Sequence, residues 1–314
     1  GAFGLHRAAV VQYLRPEIAG FILGAFASAL AFAEYRPRGG SSPMVRFALG
    51  FFAMIGALVF LGCPWRAYLR LAGGDWNAIA GIAGLIAGIG IGVWFLYNGF
   101  SLGAARPTPK AAGLVMPLLA LAILALLFAR PLFGPEGAGP IFFSEKGPGA
   151  AHAPILISLG AGLVVGWLAQ RTRFCTIGAV RDLIMVRDPH LFKGIAAFIL
   201  AAFVANMALG QFKAGFEGQP VAHTMQLWNF LGMVLSGLAF TLAGGCPGRM
   251  LIMSGEGDSD AGSFILGMLV GAAFAHNFSL ASSGAGIGGF GAPATIIGLI
   301  FCLLVGFGFR NKMA

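Results

Sequence analysis

Four cysteines, Cys63, Cys175, Cys246 and Cys302, are the residues of this 314-residue chain best suited to chemistry. Three of them stand in polar breaks between apolar runs. Cys63 and Cys246 share one motif, Gly62-Cys63-Pro64-Trp65-Arg66 and Gly245-Cys246-Pro247-Gly248-Arg249, and Cys175 lies in Arg173-Phe174-Cys175-Thr176-Ile177-Gly178. A thiol near an arginine offers two chemistries. Nearby positive charge favours the nucleophilic thiolate, whereas the un-ionised sulfur is a soft, polarizable contact for another sulfur or selenium atom. The guanidinium stays charged and attracts anions. Cys302, in Leu299-Ile300-Phe301-Cys302-Leu303-Leu304, has only apolar neighbours and reads as a small packed hydrophobe.

The order Gly-Cys-Pro-x-Arg has a backbone consequence. Pro64 and Pro247 disfavour helix continuation, and Gly62 and Gly245 tolerate unusual dihedrals, so each span is predicted to break at its cysteine. Broken backbone at membrane depth persists only against protein or a water-filled cavity. A single copy is best explained as a helix end whose arginine snorkels to the headgroups. Two copies favour a functional site.

The elements that must position these motifs are membrane spans. Hydrophobic residues make up 58% of the chain and charged ones 10%, with a mean hydropathy of +0.86; soluble domains carry about 25% charged residues. Apolar stretches near 17–34, 44–62, 77–100, 111–129, 153–170, 191–212, 226–244, 260–281 and 290–309 are long enough to cross a bilayer. The net charge of +9 comes from basic residues set singly between apolar runs, which excludes a nucleic-acid-binding stripe. Most of them, among them Arg36, Arg38, Arg46, Arg171, Arg173, Arg249 and Arg310, fall on the side of the C-terminus, which the positive-inside rule makes cytoplasmic. No Cys-x-x-Cys or His-Glu-x-x-His pattern supplies a metal site, and no cofactor is expected.

The chain also repeats itself. Ile18–Phe26 matches Ile195–Phe203 apart from Gly/Ala exchanges. The gapless alignment of the two Gly-Cys-Pro-x-Arg motifs pairs Gly74-Asp75 with Gly257-Asp258, and Gly84 and Gly88 with Gly267 and Gly271. The last two pairs are small-xxx-small faces for close helix approach. Asp75 and Asp258 read as helix caps or partners of an arginine, capping being favoured. Residues 1–133 are a first half, 134–152 a Gly/Pro-rich linker and 153–314 a second half. The second half holds a span and the Cys175 motif before its 195–203 segment; the counterparts in the first half are expected before residue 1. Five spans per half is an odd number, which predicts inverted halves with a transport site at their interface.

These motifs, with Gly4–Glu17, Phe60–Arg66 and Gly73–Asn77, resemble the YeeE/YedE membrane family of sulfur-compound transporters, and most closely its selenium-transport branch. The resemblance implies an all-α polytopic protein: an inverted repeat of two five-helix halves with re-entrant Cys-bearing loops, the first helix of repeat one absent from this chain. It implies a transporter or channel, not an enzyme, in a bacterial inner membrane. A small sulfur or selenium anion, thiosulfate-like, would be conducted past the thiols of Cys63, Cys175 and Cys246. Arg66, Arg249, Arg173, Gly62, Pro64, Gly245 and Pro247 would support it. The lipid bilayer and a soluble cytoplasmic sulfur-carrier protein are the partners implied. Two alternatives stay open: a membrane sulfur or selenium transferase with a reactive cysteine, and a docking partner for the soluble carrier.

Overall fold

The structure, a computed structural model, describes residues 2–5, 9–129, 142–147 and 149–310. Residues 134–141 and 148 of the predicted linker, and His6–Ala8 of the amino-terminal stretch, lie outside them. The described chain is helical: α1 (Pro16–Ala31), α2 (Pro43–Phe60), α3 (Pro64–Ala72), α4 (Asn77–Tyr97), α5 (Lys110–Gly113), α6 (Val115–Ala129), α7 (Ile155–Thr172), α8 (Thr176–Met185), α9 (His190–Ala208), α10 (Gln226–Ala243), α11 (Pro247–Gly255), α12 (Ser259–Asn277) and α13 (Gly291–Gly308). Proline opens α1, α2, α3 and α11, where its missing N–H costs nothing.

Every stretch predicted to span holds a helix. Among the described residues, six helical stretches are long and apolar enough to cross a membrane: Pro43–Ala72, Asn77–Tyr97, Ile155–Met185, His190–Ala208, Gln226–Gly255 and Gly291–Gly308. Pro16–Ala31 and Val115–Ala129 are apolar but shorter, and α12, with Asp260 in its first turn, is not among the six. The protein is a multi-pass α-helical membrane protein.

The shift that carries Cys63 onto Cys246 also carries α2 onto α10 and α3 onto α11, residue for residue at both ends. Gly74 and Gly257 then fall together, each with positive φ (93° and 98°). The amides that follow, of Asp75 and Asp258, bond the carbonyls of Arg70 and Met253 at 2.9 and 3.0 Å.

The chain forms two compact units, each drawing on both halves of the sequence. One comprises Gly1–Pro43, Ala104–Arg173 and Arg249–Ser263. In it α1 lies against α7 along a glycine seam: a Cβ on Gly20 would stand 2.9 Å from the Gly162 carbonyl carbon, and one on Gly162 2.5 Å from the Glu17 carbonyl oxygen. Further along, the Ser28 hydroxyl donates to Gln170 Oε1 at 2.7 Å, both residues being fully buried.

The other unit comprises Met44–Gly103, Phe174–Gly248 and Phe264–Ala314. Here the two predicted small-residue faces meet helices in matching fashion. A Cβ on Gly84 or Gly88 would strike the Phe230 or Val234 carbonyl of α10, and one on Gly267 or Gly271 the Phe47 or Phe51 carbonyl of α2. Backbone against backbone leaves no side chain to move aside, so only glycine fits.

Candidate functional site

The three motif cysteines all belong to the second of these units, each at the start of a short helix. Cys63 is the N-cap of α3 with extended backbone (φ −78°, ψ 171°); its thiol makes no capping bond, and the residue is part exposed. Cys175 is the N-cap of α8, its Sγ accepting the Gly178 N–H at 3.2 Å. Cys246 directly precedes α11 and is fully buried. Its amide donates to Cys175 Sγ at 3.5 Å, the two thiols contact each other, and Cys63 lies within electrostatic reach of Cys246. Helix N-termini carry partial positive charge and unpaired N–H groups. Three of them at thiols make a place that favours negative charge.

The break before Cys63 depends on residues far off in sequence. Val59 O, near the end of α2, accepts both His223 Nε2–H at 2.8 Å and the Ser282 hydroxyl at 2.7 Å. Phe60 O accepts Arg70 Nη1–H at 2.9 Å, with the guanidinium 4.2 Å from the Phe60 ring centroid. Arg70 in turn pairs with Asp75 (Nε to Oδ2 2.6 Å), while Asp75 Oδ1 accepts the Asn77 amide at 2.9 Å. Asp75 therefore both caps α4 and pairs with an arginine. Asp258 does the same, accepting the Ala261 amide at 3.0 Å and pairing with Arg38 at 2.8 Å. His223 Nδ1 accepts the Met225 amide at 3.3 Å, which assigns the neutral Nε2–H tautomer; burial pushes this histidine below its usual range.

One expectation is corrected. The left-handed residue at each break is not Gly62 or Gly245 but the residue before it, Leu61 (φ 64°) and Gly244 (φ 97°). Gly62 serves the site sterically instead: a Cβ there would stand 3.1 Å from Arg66 Cδ, so the arginine stem folds back over the glycine. The variable position of the two motifs is complementary. Trp65 packs edge-on to Phe174 (5.5 Å between centroids), and a Cβ at Gly248 would lie 2.7 Å from Trp65 Cζ2. Indole in one motif requires glycine in the other.

The predicted site residues divide between the units. Cys63, Cys175, Cys246, Gly62, Pro64, Arg66, Gly245 and Pro247 belong to one; Arg173 and Arg249 belong to the other. There both arginines bind Glu256, which is 2% exposed: Arg173 Nη1 at 2.9 Å, Arg249 Nη1 at 3.2 Å and Arg38 Nη2 at 3.6 Å from its carboxylate. Arg173 also reaches Glu34 at 2.8 Å. The Gln170 amide, donating at 2.6 Å, and the Arg173 and Arg171 guanidiniums hold the Glu34 carboxyl below the usual range. Arg181 and Asp182 pair with each other at 2.7 Å, part exposed. Cys302 is fully buried in α13, in line with a packing role.

Fold and site together define a polytopic membrane protein with free thiols at helix N-termini, those of Cys175 and Cys246 buried and that of Cys63 part exposed. Residues 171–295, which include the motifs of Cys175 and Cys246, match the family described as Sulphur transport. The match takes in about two fifths of the chain, and it falls on the family that the motifs resemble. Over 103 residues the chain is 33% identical to the protein named thiosulfate transporter TsuA of Escherichia coli K12, covering 33% of this chain and 29% of that one. Over 100 residues it is 34% identical to the protein of the same name from Spirochaeta thermophila, covering 31% and 30%. The aligned stretch thus spans less than a third of the length of these curated relatives.

Proposed function

We propose that the protein conducts a small sulfur or selenium anion across a bacterial inner membrane, passing it between the thiols of Cys63, Cys175 and Cys246. The observation that carries this reading is the meeting of Cys175 and Cys246, each at a helix start, with Cys63 within electrostatic reach. Conduction needs sites that bind well enough to admit an ion and weakly enough to release it. Un-ionised thiols give weak contacts to a terminal sulfur or selenium, and the helix ends attract its charge. Cys63, part exposed and beside Arg66, is the entry contact from outside; Cys246 and Cys175 are the inner ones. The relatives' names favour a thiosulfate-like cargo. The two halves, 1–133 and 153–314 joined by 134–152, are inverted repeats, with the C-terminus cytoplasmic as the loop charges require. A soluble sulfur-carrier protein takes the product on that side.

Uptake of labelled thiosulfate, selenite and selenide into cells making the protein tests this. One species should enter in a protein-dependent way and lose that entry in the Cys63→Ala, Cys246→Ala double variant. Undiminished uptake in a well-expressed double variant would overturn the thiol route and leave a carrier-docking role.

A further inference from the structure

Near the thiols stand two hydroxyl groups without a hydrogen-bond partner among the described residues, one of them fully buried. Thr176, fully buried, follows Cys175 as the first residue of α8, and its Oγ1 makes no hydrogen bond among the described residues. Tyr68 lies on α3, the helix that begins at Cys63 and packs on α8. It is 4% exposed, within electrostatic range of both Cys175 and Cys246, and makes no hydrogen bond among the described residues. A buried hydroxyl without a partner, as at Thr176, is costly, and apolar residues of the same shape exist for both positions. Other buried hydroxyls of this unit are satisfied: Ser236 bonds Ala53 O at 3.0 Å, Thr241 bonds Gly237 O at 2.7 Å and Thr295 bonds Gly291 O at 2.8 Å. The exception among the described hydroxyls of this unit, Thr176, follows directly on Cys175.

Building on the proposed conduction of a sulfur anion, we infer that the Tyr68 and Thr176 hydroxyls donate hydrogen bonds to the oxygens of that anion while the thiols hold its sulfur. The site then has two chemistries side by side. Thiols suit a soft terminal sulfur or selenium, and hydroxyls are the small neutral donors that suit oxygens bearing spread negative charge. Together they select an anion that carries both, such as thiosulfate, over sulfate, which lacks the soft end, and over hydrosulfide, which lacks the oxygens. Both donors are neutral, so the cargo is not trapped by a buried ion pair. Tyr68 and Thr176 are specificity-determining residues in this scheme.

Thiosulfate flux into proteoliposomes, measured as KM and maximal rate, tests the assignment with Tyr68→Phe, Thr176→Val and Thr176→Ser. Phe and Val keep the shape and remove the donor, and Ser keeps the donor. The expected result is a KM raised about tenfold or more in Tyr68→Phe and in Thr176→Val, since a hydrogen bond to a charged group is at stake, with Thr176→Ser near wild type. Melting temperatures near wild type in all three separate this from a packing defect. A KM within twofold of wild type in both donor-less variants would overturn the inference while leaving thiol conduction standing. Absence of flux in the wild-type protein would instead sink the conduction reading, and the inference with it.

Discussion

The Cys246 amide donates to the sulfur of Cys175 at 3.5 Å, and the Gly178 amide donates to the same sulfur at 3.2 Å. One side chain therefore both caps a helix and joins two motifs that lie far apart in sequence. Capping and conduction are separable by substitution. Serine is a good N-cap and can accept both amides, whereas alanine leaves them unpaired in a buried place. Cys175→Ser should keep the wild-type melting temperature and lose most flux; Cys175→Ala should lose flux and about 1–3 kcal/mol of stability as well. Thermal unfolding in detergent beside flux in vesicles checks both.

The glycine seam makes a steric prediction. Gly84 and Gly88 face carbonyls of α10, whereas a Cβ at Gly90 of the same helix would meet nothing within 4 Å. Gly84→Val or Gly88→Val should cost about 3 kcal/mol or more and reduce the yield of folded protein, because overpacking against backbone has no side-chain relief. Gly90→Ala should be neutral or gain about 0.5–1 kcal/mol, as alanine is the better helix former. Melting temperatures of purified variants decide it.

Burial holds His223 neutral at the end of α2, its Nε2–H on Val59 O. Its folded pKa lies below the unfolded value of about 6.5, so the unfolded chain binds the extra proton first as pH falls. Stability from this residue is fully present above pH of about 6.5 and is lost as pH drops toward the folded pKa. Unfolding followed from pH 8 to pH 5 should show that loss in wild type and a flatter profile in His223→Gln. Equal slopes in the two proteins would contradict the assignment.

Glu256 answers three guanidiniums, of Arg38, Arg173 and Arg249. Removing its charge leaves them facing each other. Loss of one partner from a fully buried pair costs about 3–5 kcal/mol; the part-exposed Arg38 and Arg173 soften this, so Glu256→Gln should cost about 1–3 kcal/mol. Glu34→Gln, at the more exposed end of the network, should cost less. Chemical denaturation of the two variants gives the order.

Much of this was legible in the sequence because it rests on local rules. Proline after cysteine marks where α3 and α11 begin, and glycines four apart mark the faces of α4 and α12 that meet carbonyls. What was not legible depends on partners distant in the chain. Nothing in the spacing of His223, Ser282 or Arg70 says that they cap the last carbonyls of α2, because a cap is defined by arrival in space. The left-handed turn fell on Leu61, whose side chain gives no hint of positive φ. Arg173 and Arg249 read as anion-attracting because they adjoin cysteine motifs; the single buried acid that holds both, Glu256, sits in an undistinguished Ser-Gly-Glu-Gly run.

The central claim is that thiols, and not merely a membrane scaffold, carry the anion. Purified protein in vesicles, supplied with labelled thiosulfate, tests it most directly when Cys246→Ala is compared with Cys302→Ala. Both cysteines are fully buried and differ in that only Cys246 meets another thiol. The account predicts at least tenfold loss of flux in Cys246→Ala and wild-type flux in Cys302→Ala. Equal flux in the two variants would contradict it.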